Sequence, residues 1–200
     1  MKRYSFCLAV LIASTLSPAP ASAGIIYQAF LDGPSESPPQ LSAGTGYAIV
    51  DFDLAANTMH VTVTFSGLND VTTASHIHAA TDAPGIGTAI VATTTPSFPG
   101  FPLGVTSGFF DNTFDMLDLG SYNPAFVAAH GGTAASAEAA LAESLADGTA
   151  YYNIHTQFAP GGEIRGFLQP IPEPASLTLL GIGLAGVAGY AWRRRKAAAV

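Results

Sequence analysis

The sequence predicts a mainly β fold, an antiparallel β-sandwich or flattened barrel of about eight strands with one inserted helix. Three observations carry that expectation. Strict alternation runs through Thr58 to Phe65, with Met59, Val61, Val63 and Phe65 on one face and His60, Thr62 and Thr64 on the other. Short β-rich runs recur along the chain with Gly, Pro, Asn and Ser between them. A single Ala-rich stretch, Thr133 to Leu145, places Leu141 and Leu145 at i and i+4. In order, the strands are expected at 25–31, 46–54, 58–65, 74–79, 88–94, 104–110, 150–156 and 163–168. Ala55-Ala56-Asn57 is of hairpin length, so the second and third strands should be antiparallel neighbours. The proline-rich stretches 34–39 and 95–100 read as loops. Thr133 should cap the helix, and Asp147-Gly148 should close it.

The two ends read as addresses. Met1-Lys2-Arg3, an apolar run from Phe6 to Leu16 and the small-x-small triplet Ala21-Ser22-Ala23 predict a signal peptide over 1–23, removed by signal peptidase. Cys7 is the single cysteine and leaves with it, so thiol chemistry and disulfides are not expected in the exported chain. At the other end, residues 175–192 carry no charge, about 27 Å of helix at ~1.5 Å per residue, enough to cross a bilayer core. Trp192 and the basic block Arg193, Arg194, Arg195 and Lys196 would form the membrane stop. Directly before the apolar run stands Pro172-Glu173-Pro174. Pro-Glu-Pro, a span and a short Arg-rich tail over 171–196 together resemble the PEP-CTERM sorting signal of Gram-negative bacteria. The resemblance implies an inner-membrane-anchored precursor, cleavage by an exosortase, and release to the cell surface or extracellular matrix.

Charge separates these pieces. Six of the seven basic residues lie in the two ends, leaving Arg165 as the sole cation among 13 acids in the 24–170 domain, a formal charge of −12 against −7 for the whole chain. One arginine cannot neutralise a run of phosphates, so nucleic-acid binding is excluded.

Within the domain, Glu36 to Gly46 (ESPPQLSAGTG), the turn Phe65-Ser66-Gly67-Leu68 leading to His76-Ile77-His78, and Tyr151-Tyr152-Asn153-Ile154-His155-Thr156 followed by 160–168 (PGGEIRGFL) resemble the CHRD domain, first named in chordin. The resemblance covers about residues 26–169. It implies an antiparallel β fold with an extracellular binding or structural role and no enzymatic activity. The chain departs from the usual pattern where Ala79-Ala80 follows His78 in place of a glycine, and where 111–147 forms a longer insertion holding the helix.

His76 and His78, two apart on a strand, point to the same face ~6–7 Å apart, a separation from which two imidazoles can meet one ion. His155 on a later strand could supply a third ligand. One reading has these rings hydrogen-bonding loop backbone and each other, with Asn153 and Thr156 pinning strand ends. The alternative is a divalent-metal site for Cu or Zn, redox-active if copper binds. His60 and His130 are expected to be exposed. Arg165 should find a carboxylate, Glu36 or Asp51, in an ion pair that ties the last strand to the sheet; its other reading, and that of Glu163 beside it, is contact with an anionic sugar or a partner's carboxylate. Asp51 and Asp53 share a strand face. Asp111, Asp115 and Asp118 have the i, i+4, i+7 spacing of a helix face, without the spacing or glycine of a calcium loop. No nucleophile elbow, zinc-protease motif or phosphate loop is present, so no catalytic residue is expected. Extracellular polysaccharide or another surface protein are the partners this leaves.

Overall fold

The computed structural model describes residues 24–172 and 175–197. The expected signal peptide, together with Glu173 and Pro174 of the sorting motif, lies outside the described residues. The elements are β1 (Ile25–Asp32), β2 (Thr45–Asp53), β3 (Thr58–Ser66), β4 (Thr72–His78), β5 (Gly108–Asp115), α1 (Pro124–Ala129), α2 (Ala134–Ala146), β6 (Tyr151–Thr156), β7 (Ile164–Phe167), β8 (Gln169–Pro170) and α3 (Ala175–Ala197). The strands form one curled antiparallel sheet in the order β4-β6-β7-β1-β2-β3-β5, with β8 added on β1. Of the two expected architectures this is the flattened barrel.

Alternation dictates one half of it. In β1, β2 and β3 every second side chain is buried, among them Ala29, Leu31, Ala48, Val50, Met59, Val61 and Val63, and the register runs residue for residue across β1-β2-β3-β5. A slip of one residue would turn that set to solvent. The β2–β3 turn is held by Asp53, whose carboxylate accepts from the Ala55 and Ala56 amides. Asn57 takes a left-handed φ of 55° there, a conformation asparagine tolerates.

The two sheet edges, β4 and β5, are bridged by the 95–105 segment. Phe98 N–H donates to Ser75 O and Gly104 N–H to Thr72 O on β4, while Asn112 Nδ2 on β5 donates to Pro99 O. Phe98 fills the gap, its ring 5.0 Å from Phe114, 5.8 Å from Phe110 and 6.0 Å from Tyr152. Helix α2 begins as expected, Thr133 and Ser136 forming a reciprocal capping box, and Gly148 follows its end at φ +67°.

Several expectations need correction. The 88–94 run is not a strand. It makes only isolated bridges, His78 to Val91 and Thr93 to Tyr122, because Gly85 and Gly87, both at positive φ, turn the chain just before it. The strand expected at 104–110 lies at 108–115, where Phe110 and Phe114 point inward and pair with β3. Asp111 and Asp115 therefore lie on a strand and not on a helix face; Asp118 instead caps a 3-10 turn at 119–121. The insertion also holds α1, a six-residue helix capped by Asn123 with Pro124 opening it, too short to show periodicity. His60 keeps a largely exposed side chain, but His130 is half-buried rather than exposed: its Nδ1 donates to Phe126 O at 2.8 Å and its ring lies 4.2 Å from that of Phe126.

The apolar run 175–192 is helical throughout, and its described side chains Leu180, Ile182, Leu184, Val187, Tyr190 and Trp192 are exposed. Among the described residues, however, no helix is long and apolar enough to cross a membrane.

Candidate functional site

Strand β6 departs from alternation, since all six of its residues are buried. Tyr152 and Ile154 enter the core beside Ser75 and Ile77 of β4. Tyr151, Asn153 and His155 face the other side with His76 and His78, under a roof of loops. That polar layer is the candidate site.

Register brings the histidines together. Ala74 pairs with His155, His76 with Asn153 and His78 with Tyr151, so His155 lies diagonal to His76. Ring centroids are 4.6 Å apart for His76 and His155, 4.7 Å for His76 and His78, and 6.2 Å for His78 and His155. Among the described residues this is the one cluster of three His, Cys, Asp or Glu ligands whose donor atoms all lie within 4.8 Å of one another.

Loop carbonyls orient each ring. His76 Nδ1 donates to Pro96 O (3.1 Å), His78 Nδ1 to Ala89 O (2.8 Å) and His155 Nδ1 to Pro160 O (2.9 Å). A carbonyl oxygen only accepts, so each Nδ1 carries the proton and each neutral ring presents a bare Nε2. His76 Nε2 and His155 Nε2 stand 2.8 Å apart. His78 Nε2 is buried with no hydrogen-bond partner. Burial lowers the His76 ring to about 3, helped by His155 and His78, and the His78 ring to about 4. His155 is lowered as well, again chiefly by burial. Neutral, carbonyl-oriented imidazoles are the form in which histidine ligates metals, so His76, His78 and His155 are the residues that could hold one. The rings bond loop backbone, and His76 and His155 also meet each other.

Arg165 extends the layer. Its Nε donates to Ser35 O (2.5 Å) and its Nη1 to Gly87 O (2.9 Å), with Glu36 Oε2 3.8 Å from Nε. The guanidinium lies 4.8 Å over the Tyr151 ring, and Tyr151 stacks on His78 at 4.6 Å. Of the two carboxylates the sequence offered, the partner is Glu36. Burial pushes the Glu36 carboxyl up to about 7, against the lowering effects of Arg165, the Ser37 amide and Asn153. Asn153 Nδ2 donates to Glu36 Oε1 at 3.2 Å. Glu163, fully buried just before β7, accepts from Ser42 Oγ, the Asn69 amide and Thr156 Oγ1. These four polar residues clamp the loops at 33–42, 69 and 87 to the sheet.

Sequence reasoning missed Tyr151 as the plate between Arg165 and His78, and it missed the three carbonyls. Two clefts lie elsewhere: about 500 Å³ beside Asp82, His130, Glu143 and Asp147, and about 450 Å³ between α2 and the β1–β2 end.

Compared with known families, residues 27–168 match the CHRD domain and residues 170–196 match the PEP-CTERM protein-sorting motif. Comparisons with curated proteins and with solved structures found no match.

Proposed function

The chain belongs to the CHRD domain family, and we propose that it is a non-enzymatic binding or structural protein of the cell surface or extracellular matrix of a Gram-negative bacterium. The observation that carries this is the sorting motif at 170–196, which abuts the domain without a linker and marks the chain as an exosortase substrate exported through an anchored precursor.

The fold suits that route. Ile171 N–H donates to Ile26 O at 2.8 Å and β8 pairs with β1, so the chain enters and leaves the domain at one place. The C-terminal sorting region therefore leaves the domain beside the start of β1. A binding role, in place of catalysis, is supported by how the polar groups are used: Glu36, Asn153 and Arg165 hold one another, and Arg165 and Glu163 hold the roofing loops. At −12, the domain would repel anionic polymers, which favours a neutral polysaccharide or a basic protein surface as partner.

The test is expression in hosts with and without exosortase. The exosortase-containing host should yield a soluble or surface-bound form shortened at or near Pro172–Pro174, and the deficient host a longer, membrane-bound form. An intact C-terminus in both would overturn the processing step.

A further inference from the structure

We propose that His76, His78 and His155 form a three-imidazole site for a late first-row transition-metal ion, zinc or copper. The inference is independent of sorting and goes beyond it.

The cluster holds unmatched acceptors. Each Nδ1 proton is already donated to a loop carbonyl, so the 2.8 Å contact between His76 Nε2 and His155 Nε2 has no proton of its own to share. Two lone pairs facing each other at that distance repel. His78 Nε2, also buried, has no partner at all. A buried acceptor without a donor is destabilising, and here three lie in one cluster. A fourth proton would relieve them only by placing an imidazolium where water is largely excluded, since His76 is 6% and His155 9% exposed. A metal cation accepts all three lone pairs at once.

Donor type selects the ion. Three neutral nitrogens with no carboxylate among them suit zinc and copper, and suit calcium or magnesium poorly. Zn–N bonds of ~2.0–2.1 Å at tetrahedral angles keep nitrogens ~3.3–3.4 Å apart. His76 Nε2 and His155 Nε2 stand 2.8 Å apart and ligand atoms of all three rings lie within 4.8 Å of one another, a range that includes that value. The carbonyls of Pro96, Ala89 and Pro160 supply the outer hydrogen bonds that such ligands need. The nearby charge is balanced: Arg165 stands behind Tyr151 and is met by Glu36.

The experiment is titration of the purified full-length chain, stripped with chelator, with Zn²⁺, with Cu⁺ under reducing conditions, and with Ca²⁺. One equivalent of Zn²⁺ or Cu⁺ should bind and raise the melting temperature, with Ca²⁺ inert at the same concentration. His78→Gln keeps a donor for Ala89 O but removes the nitrogen ligand, and should weaken binding by at least the ~10–100-fold typical of even an outer-sphere loss. His60→Gln, outside the cluster, should leave affinity unchanged. Should His78→Gln fail to fold, zinc-induced shifts of the wild-type histidine Nε2 resonances give the same answer, because only these three should move. Absence of stoichiometric binding, or equal affinity in His78→Gln, would overturn the site. Exosortase processing reads out separately and does not depend on either result.

Discussion

The two halves of the sheet are built on opposite terms. In β1-β2-β3-β5 one face is an aliphatic and aromatic interior and the register is unbroken. In β4-β6-β7 the inner face joins that same interior, but the outer face is a buried polar layer of histidines, Asn153, Glu36 and Arg165 covered by loops. The first half needs only the alternation of side chains. The second depends on hydrogen bonds between specific atoms, so it is where single polar changes should matter most and where chemistry can reside.

Substitutions can break that contrast. The largest effect should come from Phe98→Ala, which removes the ring joining β5 to β6 and leaves a cavity: a loss of ~3–5 kcal/mol, read by urea denaturation. Arg165→Ala comes next, at ~3 kcal/mol, because it leaves Glu36 buried without its cation and frees the Ser35 and Gly87 carbonyls. An unchanged melting temperature would contradict its role as the clamp of the polar half.

Acidification separates the halves by another route. Above pH 6.5 the histidines are neutral in both folded and unfolded chains, and their contribution to stability is complete. Below it the unfolded chain takes up protons that the buried rings refuse until about pH 4 for His78 and about pH 3 for His76, with His155 shifted the same way. Stability should therefore fall with pH by ~1.4 kcal/mol per unit for each such ring. Glu36 opposes this. Its pKa is raised from 4.5 to about 7, so its contribution is full below 4.5 and lost as pH rises through 7. One proton against at least two, those of His76 and His78, leaves a net loss between pH 6.5 and 4.5, and a denaturation midpoint that rose on acidification in that window would refute the neutral cluster. A smaller change is expected from Thr133→Ala, about 1 kcal/mol from the lost capping box on α2. Asp111→Asn should change nothing measurable, since its contacts with His60 and Thr62 are at the surface.

The same contrast explains what could be read from the sequence. The β2–β3 hairpin and α2 were legible because periods of 2 and 3.6 write burial directly into residue order. The His-x-His spacing of β4 was legible for the same reason. The diagonal placing of His155 was not, because register between β4 and β6 is set by pairing across 70 or more residues. The carbonyls of Ala89, Pro96 and Pro160 carried no signal, since every residue has one. The 88–94 run had strand-like composition but takes isolated bonds at the edge of β4, such as Ala92 N–H to Ile77 O. Pairing is a property of neighbours, which composition does not record.

The central claim is that three clustered histidines, two of them buried and the third half-buried, carry unprotonated Nε2 atoms. Long-range ¹H–¹⁵N correlation of the histidine rings in the metal-free protein at pH 7 tests it most directly. The account predicts that His76, His78 and His155 all show a protonated Nδ1 and a bare Nε2. An imidazolium, or an Nε2–H tautomer, at any of the three would contradict it.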